Sequence, residues 1–402
     1  MGPNSIYLDN NSTTPIDPRV VEAMVRVQRD GLANPASQHH LGRRARRLLE
    51  EAREGIASLL GADVTSFRAD QLIFTSGGTE ANNLALFGLT AAAAARWNER
   101  QQLIVSAIEH PSVLESAKRL EQQGVPVVRL GVSTQGVVDE AQLEAALQQQ
   151  PTALVSVMLA NHETGVVQPV ERLAALCAAA GAPLHTDAVQ AVGKIPVHFR
   201  QLGVSALTLT AHKFHGPLGI GALLLRSDVK LEPTLFGGFQ QGGLRPGTEP
   251  VALAVGFHEA LRLAVAELDE RNVRMTRLAG ELARSLREAF PDLIIAGQQS
   301  PRLPHTLNVA FPGVNRQALL MSLDLAGVAC STGSACASGS SEPSPVLQAM
   351  GLPADAIEGA IRLSLSAQTT AEEVAEASRR IIRCVNDLRN AGNPRKSANT
   401  PS

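Results

Sequence analysis

Cysteine is scarce in this sequence, with four residues among 402. That number does not make a disulfide framework, and no CxxC motif indicates a structural zinc site. The sequence therefore predicts free thiols and no bound metal, as expected in the reducing cytoplasm. Two of the four, Cys330 and Cys336, stand close together in a run of Gly, Ser and Ala, GVACSTGSACASGSS, which looks too small and polar to pack a core.

An excess of charge of one sign is also absent, since the formal net charge is −2. In the densest basic stretch, residues 42–54, glutamates follow the arginines about one helical turn later, which is typical of a solvated helix face. Apolar runs such as ALVSVMLA (153–160) are too short to span a bilayer, and the first residues lack a signal-peptide pattern. We expect no nucleic-acid partner, no membrane partner and a cytoplasmic location.

Short β-rich runs alternate with helical stretches between residues 71 and 226. Apolar strands that alternate with helices predict an α/β fold, here a mainly parallel seven-stranded sheet flanked by helices. The loop 212–218 between the last two runs is short enough to join an antiparallel pair at the edge of the sheet. The predicted strands lie in residues 71–76, 102–108, 125–132, 153–160, 183–188, 206–211 and 219–226.

A long helical stretch from residue 251 to 290 leads from this sheet into a second, smaller α+β domain. We predict a large domain at 18–260 and a small domain formed by 1–17 and 261–390. Residues 391–402, AGNPRKSANTPS, are predicted to be a disordered tail.

Polar clusters follow five of the predicted strands. Ligands of open α/β sheets bind beyond the carboxyl ends of the strands, so five polar clusters at one edge predict an active site. The clusters are SGGTEANN (76–83), EHPS (109–112), NHETG (161–165), Gln190 and HKFHG (212–216).

The first cluster has the features of a phosphate cradle. Gly77 and Gly78 let the backbone approach a ligand, and Thr79 can donate its hydroxyl at the positive end of a helix. The same residues are also typical of a helix start, with Thr79 as the N-cap and Glu80 in the first turn. Both interpretations can hold together.

Two charged residues close apolar strands at the same edge. Lys213 is a candidate Schiff-base amine, and Asp187 needs a cationic partner, since a buried carboxylate is otherwise costly. A plain salt bridge between them is one interpretation. Pyridoxal phosphate is the other, because it needs a lysine, a carboxylate for its ring nitrogen and a phosphate cradle. His110 could stack on such a ring.

The sequence resembles a known family through motifs that span residues 6 to 375 in the family's order. It is similar to the cysteine desulfurases of the NifS/IscS-like branch, on the class V aminotransferase fold of the fold-type I pyridoxal-phosphate enzymes. The motifs are YLDNNSTTPIDPRV, NPASQHHLGRRAR, FTSGGTEANNLAL, EHPSVL, NHETGVVQPV, HTDAVQAVGKIPV, AHKFHGPLGIGALLL, GLRPGTE, GSACASGSSEPSPVL and IRLSLSAQTT.

The resemblance implies a role for each matching residue. Lys213 would bind pyridoxal 5'-phosphate covalently, and His110 would stack on its ring and carry protons. The implied cofactor contacts are Asp187 at the ring nitrogen, Asn161 and Gln190 near the phenolic oxygen, and Gly78, Thr79, Thr210 and His212 at the phosphate. Thr248 would reach the phosphate of a partner subunit, which implies a homodimer. Arg362 would hold the substrate carboxylate, with Asn161 and Asn34 nearby.

Cys336 matches the nucleophile of the family, and this accounts for the small-residue run. A thiol that attacks a bound substrate and then delivers sulfur needs a mobile tether, which Gly333, Gly339 and their neighbours can supply. The implied reaction converts L-cysteine into L-alanine and leaves a persulfide on Cys336. A sulfur-acceptor protein, for iron-sulfur cluster assembly or tRNA thiolation, would then receive the sulfur.

Other interpretations stay open at this point. A selenocysteine lyase or an aminotransferase on the same fold would share most of these residues, and a cofactor-free scaffold in sulfur trafficking would need none of them. Cys330 is interpreted as packing at a strand end, with a sulfur-relay role as the alternative. Cys177 and Cys384 lie on apolar helix stripes and are predicted to be core residues.

Overall fold

The computed structural model describes residues 5–31, 33–96, 101–333 and 342–391. The helices are α1 (Pro18–Arg29), α2 (His40–Leu59), α3 (Gly78–Arg96), α4 (Pro111–Gln122), α5 (Glu140–Gln149), α6 (Val170–Ala179), α7 (Phe199–Leu202), α8 (Val251–Ala266), α9 (Leu268–Ala289), α10 (Arg316–Leu325), α11 (Pro345–Ala349), α12 (Ala354–Glu358) and α13 (Ala371–Ala391). The strands are β1 (Ile6–Tyr7), β2 (Gln71–Thr75), β3 (Gln102–Ser106), β4 (Val127–Leu130), β5 (Thr152–Ser156), β6 (Leu184–Asp187), β7 (Ala206–Thr210), β8 (Gly221–Leu225), β9 (Ile294–Ile295), β10 (Thr306–Ala310), β11 (Val328–Ala329) and β12 (Ala360–Ser364).

The central sheet has seven strands in the order β2-β8-β7-β6-β5-β3-β4. The pairs that join β4, β3, β5, β6 and β7 are parallel, and β8 runs antiparallel to both of its neighbours. The predicted mainly parallel, seven-stranded α/β sheet is therefore confirmed. The antiparallel pair β7-β8 lies inside the sheet and not at its edge, because β2 pairs with β8 along its whole length.

Strand β3 shows why helices cover both faces of the sheet. Leu103 and Val105 belong to the core that includes residues of α3 and α4, whereas Ile104 belongs to the core that includes residues of α2 and α8. Successive side chains of a strand point to opposite faces, so a continuous apolar run serves two cores.

A second group of strands lies outside the central sheet, with β1 before that sheet in the chain and the others after it. β12, β10 and β9 form an antiparallel sheet, and β1 pairs in parallel with β11. Their apolar residues join those of α9, α10 and α13 in a separate core. The N-terminal segment thus lies against this second core, while the predicted domain boundaries stay predictions.

The predicted helical stretch 251–290 consists of two helices, α8 and α9, which separate at Glu267. α8 packs against α1 and α2, whereas α9 packs against α13. No helix in the described part of the chain has the length and apolar composition to cross a membrane. Ala391, the first residue of the predicted tail 391–402, is the last residue of α13, and residues 392–402 lie outside the described residues.

Candidate active site

Most of the predicted site residues lie at the carboxyl edge of the central sheet. Strands β3, β5, β6 and β7 run in parallel, so their carboxyl ends meet at one edge. Gly78 begins α3, His110 caps α4, Asn161 follows β5, Asp187 ends β6, and Lys213 ends the 3-10 turn after β7.

The amine of Lys213 is held by backbone carbonyls of the N-terminal segment. Its Nζ donates to the carbonyl oxygens of Asn11 at 2.5 Å and Ser12 at 2.8 Å. The carbonyl of Lys213 itself accepts from Nζ of Lys194 at 2.7 Å. Both the main chain and the amine of Lys213 are therefore fixed where residues 11–12 cross the sheet edge.

The carboxylate of Asp187 is buried and oriented by two donors. Oδ2 accepts from Nδ2 of Asn82 at 2.7 Å, and Oδ1 accepts from the backbone N–H of Val189 at 2.9 Å. These bonds fix the orientation of the carboxylate at the end of β6. A salt bridge to Lys213 is not needed to explain the orientation of Asp187. The hydrogen bonds given above join Asp187 to Asn82 and Val189, and Lys213 to Asn11 and Ser12.

His110 is linked to Asp187 through Asn82 and Ser112. Nδ2 of Asn82 also donates to Oγ of Ser112 at 2.9 Å, and Oγ of Ser112 lies 2.8 Å from Nδ1 of His110. The backbone N–H of Ser112 donates to the same Nδ1. Since Nδ1 accepts, the proton of the neutral ring lies on Nε2.

Burial lowers the pKa of His110, and the charges of Lys213 and Arg362 lower it further, although Asp187 opposes them. The imidazole is therefore neutral at neutral pH. Its ring meets the ring of His162 edge to face, with centroids 5.3 Å apart.

The start of α3 has room for a ligand. A Cβ added at Gly77 would meet nothing within 4 Å, while one at Gly78 would lie 3.0 Å from Cγ2 of Val189. The side chain of Thr79 is exposed. The hydroxyl of Thr210 donates to the carbonyl of Ile220 at 2.9 Å, so it is already bonded within the protein.

His212 lies on the 3-10 turn that ends at Lys213. Its Nδ1 is 3.1 Å from Oγ1 of Thr13. Burial, followed by the charge of Lys213, lowers the pKa of His212 to about 4. A neutral imidazole at this position can donate one N–H to an anion.

The two amides predicted near the phenolic oxygen differ in their bonding. Nε2 of Gln190 donates to the carbonyl of Asn11 at 3.0 Å, and its Oε1 is buried without a partner in the described residues. In Asn161, Oδ1 accepts from the backbone N–H groups of Glu163 and Thr164, and Nδ2 donates to the carbonyl of Ile108. The side chain of Asn161 thus stabilises the turn formed by residues 161–164.

Arg362 lies on β12 and is 1% exposed. Its Nη2 donates to Oδ1 of Asp9 at 2.7 Å and to Oγ of Ser12 at 2.9 Å, and its Nη1 donates to the carbonyl of His162 at 3.0 Å. Nε is buried without a partner in the described residues. The described residues therefore accept from three of the five N–H donors of the guanidinium and leave Nε without a partner.

Two predicted site residues are exposed and have no hydrogen bond to this edge within the described residues. Thr248 is exposed in the segment before α8, and Asn34 is exposed, with its Oδ1 accepting from Ala36. Cys336 lies outside the described residues. Cys330 packs against the second core, and burial raises the pKa of its thiol to about 12, as expected for a packing residue.

The sequence interpretation missed several residues of the site. Asn11 and Ser12 belong to the polar run DNNST, and a polar run directly after a strand was the signal available. Glu109 is buried, accepts from Oγ of Ser106 and the N–H of Met158, and has its pKa raised to about 8 by burial. The other site residues that the sequence did not predict are Asp9, Asn82, His162, Glu163 and Lys194.

Comparisons with known proteins identify a family and relatives that resemble this chain. The family described as aminotransferase class-V matches residues 6–376. A protein of Dictyoglomus turgidum named cysteine desulfurase IscS is 42% identical and aligns with 92% of this chain and 91% of its own. A cysteine desulfurase of Nostoc sp. is 43% identical and aligns with 92% of this chain and 90% of its own.

Solved structures show the same similarity. A NifS-like protein from Rickettsia africae superposes with a TM-score of 0.86 at 32% identity, over 95% of this chain and 99% of its own. A structure described as SspA in complex with cysteine superposes with a TM-score of 0.78 at 33% identity, over 91% of this chain and 100% of its own.

Proposed function

Since the chain belongs to the cysteine desulfurases of the class V aminotransferase family, we propose that it converts L-cysteine into L-alanine with pyridoxal 5'-phosphate and holds the sulfur as a persulfide on Cys336. The observation that carries this proposal is the arrangement of Lys213, Asp187 and His110 at one sheet edge, with Arg362 joined to the same N-terminal residue, Ser12, as Lys213. A structure of a similar protein with cysteine supports the substrate.

The groups at the sheet edge fit pyridoxal 5'-phosphate. Lys213 supplies the amine, Asp187 a carboxylate for the ring nitrogen, and His110 a ring for stacking. The Oε1 of Gln190, which has no partner within the described residues, supports a polar ligand, and the open space at Gly77 supports a phosphate at the start of α3. When bound, this cofactor supplies an electron sink for negative charge at the α-carbon of the substrate.

The protein's own groups position the substrate and move its protons. Arg362 binds the carboxylate of L-cysteine through guanidinium donors that the described residues leave without a partner. Lys213, held over the sheet edge by the carbonyls of residues 11–12, takes the α-proton at Nζ. Neutral His110, with its proton on Nε2, serves as the second proton carrier.

Cys336 performs the sulfur step. Its thiolate attacks the substrate sulfur, an S–S bond forms and the C–S bond breaks. The electron pair of the C–S bond stays with the substrate carbon, which is protonated to give L-alanine. The persulfide on Cys336 then passes its outer sulfur to an acceptor protein, such as a cluster-assembly scaffold or a tRNA-thiolation relay.

The protein acts as a homodimer in this proposal. Leu235, Phe236 and Phe239 are 50%, 84% and 96% exposed, and such large apolar side chains close together indicate an association surface. Thr248 is exposed shortly after them. A second copy of the chain would cover these residues and place Thr248 at the partner's phosphate.

Subunit mixing tests the role of Thr248. Lys213→Ala and Thr248→Ala should each be nearly inactive, but mixed dimers should regain activity, because one of their two sites then has both Lys213 and Thr248. If the mixed dimers remain inactive, Thr248 acts in the site of its own subunit.

The activity is tested by incubating the purified, cofactor-loaded protein with L-cysteine and a reductant. We expect alanine and sulfide in equal amounts, and neither product from Lys213→Ala. L-selenocysteine and a keto acid are the comparison substrates. Turnover of selenocysteine alone, or amino transfer without sulfide, would contradict the proposal.

A further inference from the structure

Glu163 occupies a buried position in the turn after β5 and is 1% exposed. Its backbone N–H donates to Oδ1 of Asn161, which ties the residue to the cofactor edge of the sheet. Its carboxylate reaches a distant segment of the chain, because Oε2 accepts from Oγ of Ser344 at 2.5 Å.

The same carboxylate packs against Gly333. A Cβ added at Gly333 would lie 2.7 Å from Oε2 and 2.9 Å from Cδ of Glu163, and the φ of +133° at this glycine also disfavours other residues. Gly333 and Ser344 lie on the two sides of residues 334–341. One side chain therefore contacts the chain both before and after the segment that contains Cys336.

The neighbouring residues on both sides are fixed to the site as well. Ser331 exchanges two backbone hydrogen bonds with Arg362, at 3.2 and 2.6 Å. Nη2 of Arg316 donates to the carbonyl of Glu342 at 2.6 Å. The strand that carries the predicted substrate arginine is therefore directly paired with the chain that leads to Cys336.

The electrostatics of Glu163 differ from those of a fully satisfied structural carboxylate. Burial raises its pKa, and the bond from Ser344 and the charges of Arg362 and Arg316 oppose that shift. Oε1 has no hydrogen-bond partner in the described residues, and neither has Nε2 of His162, which lies 3.7 Å from it. A costly buried group that joins two distant segments is better explained by positioning than by core packing.

We propose that Glu163 is a positioning residue for sulfur transfer, because it joins Gly333 to Ser344 and so fixes the two points between which the Cys336 segment extends. Cys336 is three residues from Gly333, a reach of at most about 11 Å in extended chain. A displaced anchor would therefore displace the thiol from a substrate held by Arg362. This inference rests on the proposed role of Cys336.

A pair of substitutions tests the Glu163–Ser344 bond without removing a helix cap. Oγ of Ser344 also accepts from the N–H of Leu347 as the N-cap of α11. Ser344→Asp keeps a good cap but places a second carboxylate against Glu163 in place of a donor. Glu163→Gln in the same chain then supplies an amide that can donate to the new carboxylate.

We expect Ser344→Asp to lower kcat at least tenfold, with KM for L-cysteine and cofactor content within twofold of wild type. Iodoacetamide should alkylate Cys336 at least threefold faster in this variant, measured by peptide mass in the cofactor-loaded protein. The double variant should return both quantities to within threefold of wild type. Asp139→Ser, a cap exchange in the distant helix α5, is the matched control and should change neither.

Unchanged kcat and alkylation in Ser344→Asp would overturn the proposal, as would a double variant no better than the single one. The alkylation arm does not require turnover, so it tests Glu163 separately from the function. If the proposed role of Cys336 in the reaction is wrong, Cys336→Ser should instead keep full activity.

Discussion

Asn82 gives a sharp test of the hydrogen-bond chain that orients the site. Its Nδ2 donates to both Asp187 and Ser112, and Ser112 in turn contacts His110. Asn82→Ala removes one of the two donors that orient the buried carboxylate of Asp187. A hydrogen bond to a charged group contributes about 1.5–3 kcal/mol, and since this bond also exists without cofactor, the value sets an upper limit. Cofactor affinity should therefore fall measurably, by at most about 10- to 140-fold.

The assay is titration of the cofactor-free protein with pyridoxal 5'-phosphate, followed by its absorption. Asn83→Ala is the matched control, since Asn83 is the next residue of the same helix and donates only to the carbonyl of Thr79 in the bonds described. We expect its affinity within twofold of wild type. Equal affinities for the two variants would refute the role of Asn82 in orienting Asp187.

Two further predictions concern Arg362 and Glu109. Arg362→Ala should raise the KM for L-cysteine about tenfold or more, because a charge-assisted contact to the carboxylate is lost; an unchanged KM in steady-state assays would remove Arg362 from the substrate site. Glu109, with its pKa raised from 4.5 to about 8, binds a proton in the folded state that the unfolded state releases. Its contribution to stability is therefore present below pH 4.5 and is lost as pH rises toward 8. The Tm of the wild-type protein should fall across this range, and the Tm of Glu109→Gln should fall less steeply. Equal slopes of Tm against pH for the two proteins would contradict the raised pKa.

The central sheet could be predicted because each strand is a short apolar run with a clear boundary. The burial of both faces follows from that pattern, as β3 shows with Ile104 on one side and Leu103 and Val105 on the other. Lys213 and Asp187 could be predicted for the same reason, since each is a charge that closes an apolar strand.

Contacts between distant segments could not be predicted in this way. The carbonyls of Asn11 and Ser12 reach Lys213 from about 200 residues away, and backbone groups leave no mark in the sequence. Asn82 looks like an ordinary polar position of a helix until the fold places it against Asp187. The separation of α8 and α9 at Glu267 involves neither Gly nor Pro, so the stretch 251–290 was predicted as one helical run.

The most direct measurement is the product analysis of Cys336→Ser beside Cys330→Ser. The Cys336 variant should bind pyridoxal 5'-phosphate and show the absorbance change of L-cysteine binding, yet release no alanine or sulfide, because a hydroxyl is a far weaker nucleophile than a thiolate and cannot take up sulfur as a persulfide. The Cys330 variant should keep most activity, since its thiol packs against the second core. Alanine formation near the wild-type rate by Cys336→Ser would contradict the proposed mechanism.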